Sequence, residues 1–82
     1  MATIYTFKDF ERDVILGREI EMIYNGIMYF ITDYHNIGAV LENEITKKYQ
    51  SFKTRKELLE NATIDGKNLK EIWNDIKIET VY

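Results

Sequence analysis

Three pairs of acids in this chain stand at spacings that regular structure would turn into shared faces. Glu19/Glu21 and Glu42/Glu44 lie two apart, as on one side of a strand, and Asp9/Asp13 lie four apart, as on one side of a helix. Paired carboxylates can divide general-acid and general-base work, as glycosidases do, provided that a cleft holds the substrate between them. A chain of 82 residues leaves little room for such a cleft. The same acids can instead form a contact surface, meeting the Lys and Arg side chains that a nucleic-acid-binding protein keeps for phosphates.

Other chemistry finds less support. Zinc and iron sites need converging His, Cys or carboxylate ligands, and the chain has one histidine and no cysteine. His35 has no serine or acid spaced to complete a triad, so the default is a solvated or backbone-bonded imidazole in a turn. Asp65-Gly66-Lys67-Asn68 lacks both the alternating oxygen ligands and closing Glu of a calcium loop and the Gly-x-x-x-x-Gly-Lys frame of a phosphate loop. It reads as a turn. The expectation is a chain with no catalytic residue, no metal ligand and no cofactor.

A second constellation is cationic. Residues 47–56 hold Lys47, Lys48, Lys53, Arg55 and Lys56 with Tyr49 and Phe52 between them and no acid. Cations interleaved with aromatics can neutralise phosphates and stack bases, the composition of a single-strand platform. The competing reading is that Phe52 packs inward ahead of a helix cap while the lysines guard an edge strand against sheet-to-sheet pairing. The formal charge is −3, from 11 basic and 14 acidic residues, so outside this segment 6 basic residues face 14 acids. An acidic body with one basic stretch counts against a primary role in nucleic-acid binding.

These groups need elements to position them, and the hairpin is the clearest. Arg18–Tyr24 and Ile27–Tyr34 are β-rich runs joined by Asn25-Gly26, the signature of a type I′ turn. That register sets Tyr24 opposite Ile27, Met22 opposite Tyr29 and Ile20 opposite Ile31, placing six apolar side chains on one core face. The other face carries Glu19 and Glu21 but also Ile23, Met28 and Phe30, more apolar than a freely solvated face requires. Before the hairpin, Thr6 and Asp9 form a capping box, with Tyr5 placed to staple onto Phe10. The helix they open runs to Leu16, buries Phe7, Phe10 and Val14, turns Asp9 and Asp13 away, and stops at Gly17.

After a turn at His35–Gly38, Ala39–Glu44 reads as a third strand, and 45–52 as a short edge strand or an ordered loop, the strand being favoured. Thr54-Arg55-Lys56-Glu57 is a second capping box, opening a short helix with Leu58, Leu59 and Ala62. Asp65-Gly66 then turns the chain. Leu69, Ile72, Trp73 and Ile76 follow at i, i+3, i+4 and i+7, predicting a further helix with Trp73 as a core anchor. The alternating run 76–82 reads as a last strand. The fold class expected is α+β: one domain over 1–82, of order α-β-β-β-(β)-α-α-β, with an antiparallel sheet of four to five strands and helices on one face.

No apolar stretch approaches the 18 or so residues of a membrane span, and the amino terminus lacks a basic region followed by an apolar run. With no cysteine to form disulfides, the expectation is a cytoplasmic protein without membrane contact. The tripeptide Asn61-Ala62-Thr63 matches a glycosylation acceptor, which has meaning only in a secreted chain. A single core of this size supports roughly 3 to 5 kcal/mol of net stability.

Gly17-Arg18-Glu19-Ile20-Glu21 with Tyr24-Asn25-Gly26 and Tyr29-Phe30-Ile31, then Glu57–Asn61 with Ile64-Asp65-Gly66-Lys67 and Leu69–Trp73, resemble a group of small uncharacterised proteins of low-GC Gram-positive bacteria and their phages and mobile elements. The shared positions are turn, cap and core residues, so the resemblance implies a fold and a context and carries no catalytic assignment. The context implied is anti-defence, including anti-CRISPR-like inhibitors that bind a host nuclease complex. The leading expectation is therefore a non-enzymatic protein-binding module. Its contacts would be Glu19, Glu21, Glu42 and Glu44 for a basic protein partner, with Ile23, Met28 and Phe30 as apolar anchors. The alternatives are a nucleic-acid-binding accessory domain using Lys47, Lys48, Tyr49, Lys53, Arg55 and Lys56, and a homodimer that buries the second hairpin face.

Overall fold

The computed structural model describes residues 4–82. Helix α1 (Phe7–Ile15) leads into strands β1 (Ile20–Tyr24), β2 (Ile27–Tyr34), β3 (Gly38–Asn43) and β4 (Tyr49–Phe52). Helix α2 (Arg55–Asn61), a two-residue hairpin of β5 (Thr63–Ile64) and β6 (Lys67–Asn68), a 3-10 turn (Trp73–Asp75) and strand β7 (Ile76–Val81) complete the chain. The main sheet is five-stranded and antiparallel in the order β4-β3-β2-β1-β7, so the last strand joins at the edge beside β1. This is the α+β fold expected, with the edge strand at 49–52 formed.

Local chemistry explains both ends of α1. The Asp9 N–H donates to Thr6 Oγ1 at 3.2 Å while the Asp9 carboxylate accepts from the Thr6 N–H at 2.9 Å. The Thr6 N–H first, and then the Thr6 hydroxyl donating to the same carboxylate at 3.0 Å, hold the Asp9 carboxyl below its ordinary range. At the other end Gly17 takes φ +88°, its N–H donates to the Val14 carbonyl, and the Arg18 N–H reaches back to the Asp13 carbonyl. That pair of bonds is a Schellman stop. Asn25 and Gly26, at φ 51° and 75°, then make the I′ turn, and the hairpin pairs in the expected register.

Gly38 is fixed by proximity. With φ +121°, a Cβ there would sit 2.3 Å from the Phe52 carbonyl oxygen of β4. The β3–β4 connection is held by the Asn43 side chain, which accepts the N–H groups of Ile45 and Thr46 at 2.9 and 3.1 Å.

Core residues of α1 (Phe10, Val14), α2 (Leu58, Ala62) and the following segment (Ile64, Leu69, Ile72) pack on the face formed by Ile20, Met22, Tyr24, Ile31, Ala39 and Leu41. Gln50 ties the small hairpin to β4, donating to the Thr63 carbonyl at 2.6 Å and accepting the Thr63 N–H at 3.0 Å, as a neighbouring strand would.

Several expectations are corrected. Residues 69–75 form turns and one 3-10 turn in place of a helix, and Ile76 opens β7. Asn68 and Glu71 do cap each other reciprocally, but the segment is too short to repay helix nucleation, and Ile76 is drawn into pairing with Tyr24. Asp13 does not face solvent: it is 6% exposed, accepts the Tyr5 hydroxyl at 2.7 Å and lies 3.5 and 3.6 Å from the Nε atoms of Arg12 and Arg18. Tyr5 packs on Trp73, with ring centroids 6.2 Å apart. Trp73 itself is half-buried at the rim of the core, its ring edge-on to Phe7 and tilted against Tyr5 and Phe10. At α2 the Glu57 N–H donates to Thr54 Oγ1 at 3.1 Å, but the Glu57 carboxylate accepts from the Lys53 N–H, one residue before the cap.

Candidate functional site

Both helices lie on one face of the sheet, and every buried apolar residue they contribute belongs to the cluster on that face. The opposite face has no second layer among the described residues. Strand alternation sends to it Glu21 and Ile23 from β1, Met28, Phe30, Thr32 and Tyr34 from β2, Val40 and Glu42 from β3, and Tyr49 and Ser51 from β4.

One row crosses all five strands: Thr80, Glu21, Phe30, Glu42 and Tyr49 are successive cross-strand partners. At about 4.8 Å per strand, acid and aromatic alternate across the centre of the face. Ile23 and Met28 pair beside this row, with Lys77 opposite Ile23, and the Glu44 N–H donates to the Met28 carbonyl at 3.0 Å. On its other side Thr32, Val40 and Ser51 are partners. Val40 is fully buried and Thr32 nearly so without a covering layer, so the larger side chains around them close over the sheet.

Hydroxyl groups fix three of the carboxylates. Thr32 Oγ1 donates to Glu19 Oε2 at 2.5 Å, the Tyr34 hydroxyl donates to Glu42, and the Tyr82 hydroxyl donates to Glu21. Tyr34 also meets the Tyr49 ring edge-on, centroids 5.4 Å apart. The bond to the Glu42 carboxylate, with burial and the acid's charge behind it, pushes the Tyr34 phenol up to about 12. The Tyr82 phenol is raised first by its bond to Glu21. Among the described residues no Lys or Arg lies within ion-pair distance of Glu19, Glu21 or Glu42, whereas Glu44 is paired with Lys47 at 3.3 Å. The structure therefore brings the acids Glu19, Glu21, Glu42 and Glu44 and the apolar Ile23, Met28 and Phe30 to one uncovered surface. Tyr34, Tyr49 and Tyr82 belong to it as well. Tyr34 could have been found by extending the period-two pattern of β2; Tyr82 could not, because β7 carries a bulge against Glu21/Met22 that shifts its phase.

The basic segment is dispersed. Arg55 is buried: Nε and Nη2 donate to the Asp33 carboxylate at 3.1 and 3.0 Å, and Nη1 donates to the Val14 and Arg18 carbonyls at 3.2 and 2.8 Å. Lys47 sits in a turn at φ 63° beside Glu44. Lys48 and Lys53 flank opposite ends of β4, Lys56 lies on α2, and Tyr49 points onto the acidic face. The segment makes no single cationic platform, because a short edge strand separates its ends and its one arginine is turned inside.

A second concavity lies between α1 and α2, floored by Ile15, Leu16 and Leu59. Its space of about 520 Å³ is wide open, and Glu11, Arg12, Lys56 and Glu60 mix charge around it, so no ligand charge is selected. His35 is exposed in the β2–β3 turn. Among the described residues no three His, Asp or Glu side chains converge as metal ligands, and no helix is long and apolar enough to cross a membrane. No protein-family model, curated protein or solved structure matches the chain.

Proposed function

We propose that this protein is a non-enzymatic binding module that docks a basic partner protein on the open face of its sheet. The observation that carries this reading is the cross-strand row Glu21–Phe30–Glu42–Tyr49, flanked by Ile23 and Met28, on a face without a second layer. An apolar, aromatic centre supplies area to desolvate, and the acids around it select sign and steer approach. Carboxylates already held by neighbouring hydroxyls lose little further freedom on binding.

The partner best suited to such a face is one whose own basic surface otherwise meets phosphates. An inhibitor of a nucleic-acid-directed defence complex is the specific form we propose, by analogy with small acidic proteins of mobile elements. A face-to-face homodimer fits less well, since it would set the glutamates of one copy against those of the other.

Affinity capture from a lysate of a Gram-positive bacterium, with and without nuclease, tests the reading. A protein partner that survives nuclease, is lost from the Glu21→Lys/Glu42→Lys double variant and is kept by Lys47→Glu/Lys48→Glu is the expected result. Binding that disappears with nuclease, or that follows the lysine pair, contradicts it.

A further inference from the structure

We infer that the open face seats an arginine side chain of the partner, its guanidinium laid on the Phe30 ring between the carboxylates of Glu21 and Glu42. This rests on the docking reading above and names the chemistry that the face selects.

Phe30 has Glu21 as its partner on β1 and Glu42 as its partner on β3, so the two carboxylates stand on either side of one ring, about 10 Å apart across two strand spacings. In each carboxylate one oxygen, Oε1, already accepts a tyrosine hydroxyl, from Tyr82 at Glu21 and from Tyr34 at Glu42. The tyrosines fix the acids beside the ring and leave Oε2 of each without a hydrogen-bond partner among the described residues.

A planar guanidinium carries donors around its edge and stacks its flat face on an aromatic ring, so one group can lie on Phe30 and direct N–H bonds toward both sides. An ammonium is compact and more strongly hydrated; it reaches one acid at a time and gains less from the ring.

The chain does not supply this cation itself. Its three arginines are Arg55, which is buried on Asp33, and Arg12 and Arg18, which are drawn to Asp13. The lysines near the face, Lys47 and Lys77, are paired with Glu44 and Glu79. The unmatched charge therefore asks for an arginine from another protein; in a second copy of this chain Arg55 is buried, and Arg12 and Arg18 already sit beside Asp13.

Hexa-arginine and hexa-lysine peptides, titrated into isotopically labelled protein and followed by backbone amide spectra, test the inference. The arginine peptide should bind roughly five-fold more tightly or better and shift the amides of Glu21, Phe30, Glu42 and Tyr49. Phe30→Leu should bring the two peptides to equal affinity while attraction persists, and the isosteric Glu42→Gln, which keeps the fold if Phe30→Leu does not, should weaken the arginine peptide more than the lysine peptide. Equal affinities in the wild-type protein, shifts confined to other surfaces, or concentration-dependent self-association through the same amides would overturn it. If the peptides are not distinguished but Glu21→Lys/Glu42→Lys still releases the captured partner, docking stands and arginine selection falls. If charge reversal leaves the partner bound, the docking reading falls, and the peptides alone decide whether the face is an arginine seat.

Discussion

Arg55 holds Asp33 in a two-bond grip, Nε to Oδ1 at 3.1 Å and Nη2 to Oδ2 at 3.0 Å, while the same guanidinium closes the carbonyl end of α1 through Val14 and Arg18. One side chain at the first turn of α2 thus joins α1, the end of β2 and α2, and offsets the partial negative charge at the α1 terminus. Replacing Arg55 by methionine removes the guanidinium donors from the Arg18 carbonyl and from Asp33, leaves the Val14 carbonyl with the Gly17 N–H alone, and should lower unfolding free energy by about 2 to 4 kcal/mol. In a domain of this size that is a fall in Tm on the order of 10 to 20 °C by thermal denaturation. Lysine at 55 should not restore it, because one ammonium cannot make the forked contact. Asp33→Asn should cost under about 1 kcal/mol, since the Asp33 side chain is 59% exposed.

Gly38→Ala is expected to be among the most damaging small substitutions. The added methyl would meet the Phe52 carbonyl at 2.3 Å, and φ +121° is strained for any L side chain. The β3–β4 pairing must open to admit it, at a cost of roughly 2 kcal/mol or more. Gly26→Ala has open space at its Cβ and φ +75°, and should lose only about 1 kcal/mol. Urea unfolding of the two variants side by side checks the order.

Tyr34 gives a pH signature. Its phenol is raised from the ordinary 10.0 to about 12 chiefly by the bond to Glu42, so the folded state holds that proton more tightly than the unfolded chain does. The stabilisation is complete below pH 10 and is lost as pH rises through about 12. Tyr5, raised by burial and by its bond to Asp13, loses its contribution in the same direction. Ultraviolet difference titration should show late phenolate absorbance, and Glu42→Gln should return one phenol toward its ordinary range. A titration unchanged by Glu42→Gln would mean that Tyr34 and Glu42 do not hold each other in solution.

Much of this was legible in the sequence wherever a short-range rule decided the outcome. Thr6 with Asp9, Gly17, Asn25-Gly26 and Asp65-Gly66 each set a cap or turn by backbone chemistry alone, and the hairpin register placed Ile23, Met28 and Phe30 on one face before any tertiary contact was known. What long-range packing decided was not legible. The helical spacing of Leu69, Ile72, Trp73 and Ile76 gave way because β1 needed a partner for Tyr24, and the residues stayed apolar for a turn that packs as a helix would. Arg55 reads as a surface cation beside four lysines; only the convergence of Asp33 and the end of α1 turns it inward. Strand alternation brought the acids to the face, while the hydroxyls that hold Glu19, Glu21 and Glu42 come from residues 13, 61 and 8 positions away in sequence.

Stability and docking should separate cleanly. Glu21 and Glu42 carry no ion pair among the described residues and lose only one hydroxyl bond each, so Glu21→Lys/Glu42→Lys should retain the native fold and lower unfolding free energy by no more than about 2 kcal/mol. Circular dichroism with chemical denaturation checks this. A variant that unfolds would show that these acids serve the fold.

The most direct test of the docking face is a benzophenone photocrosslinker introduced in turn at Met28, Tyr49 and Leu59, irradiated with the protein in a bacterial lysate. The open-face reading predicts a protein adduct from Met28 and Tyr49 and none from Leu59, which lies between the helices on the opposite side. An adduct from Leu59 alone, or none from Met28 and Tyr49, contradicts it.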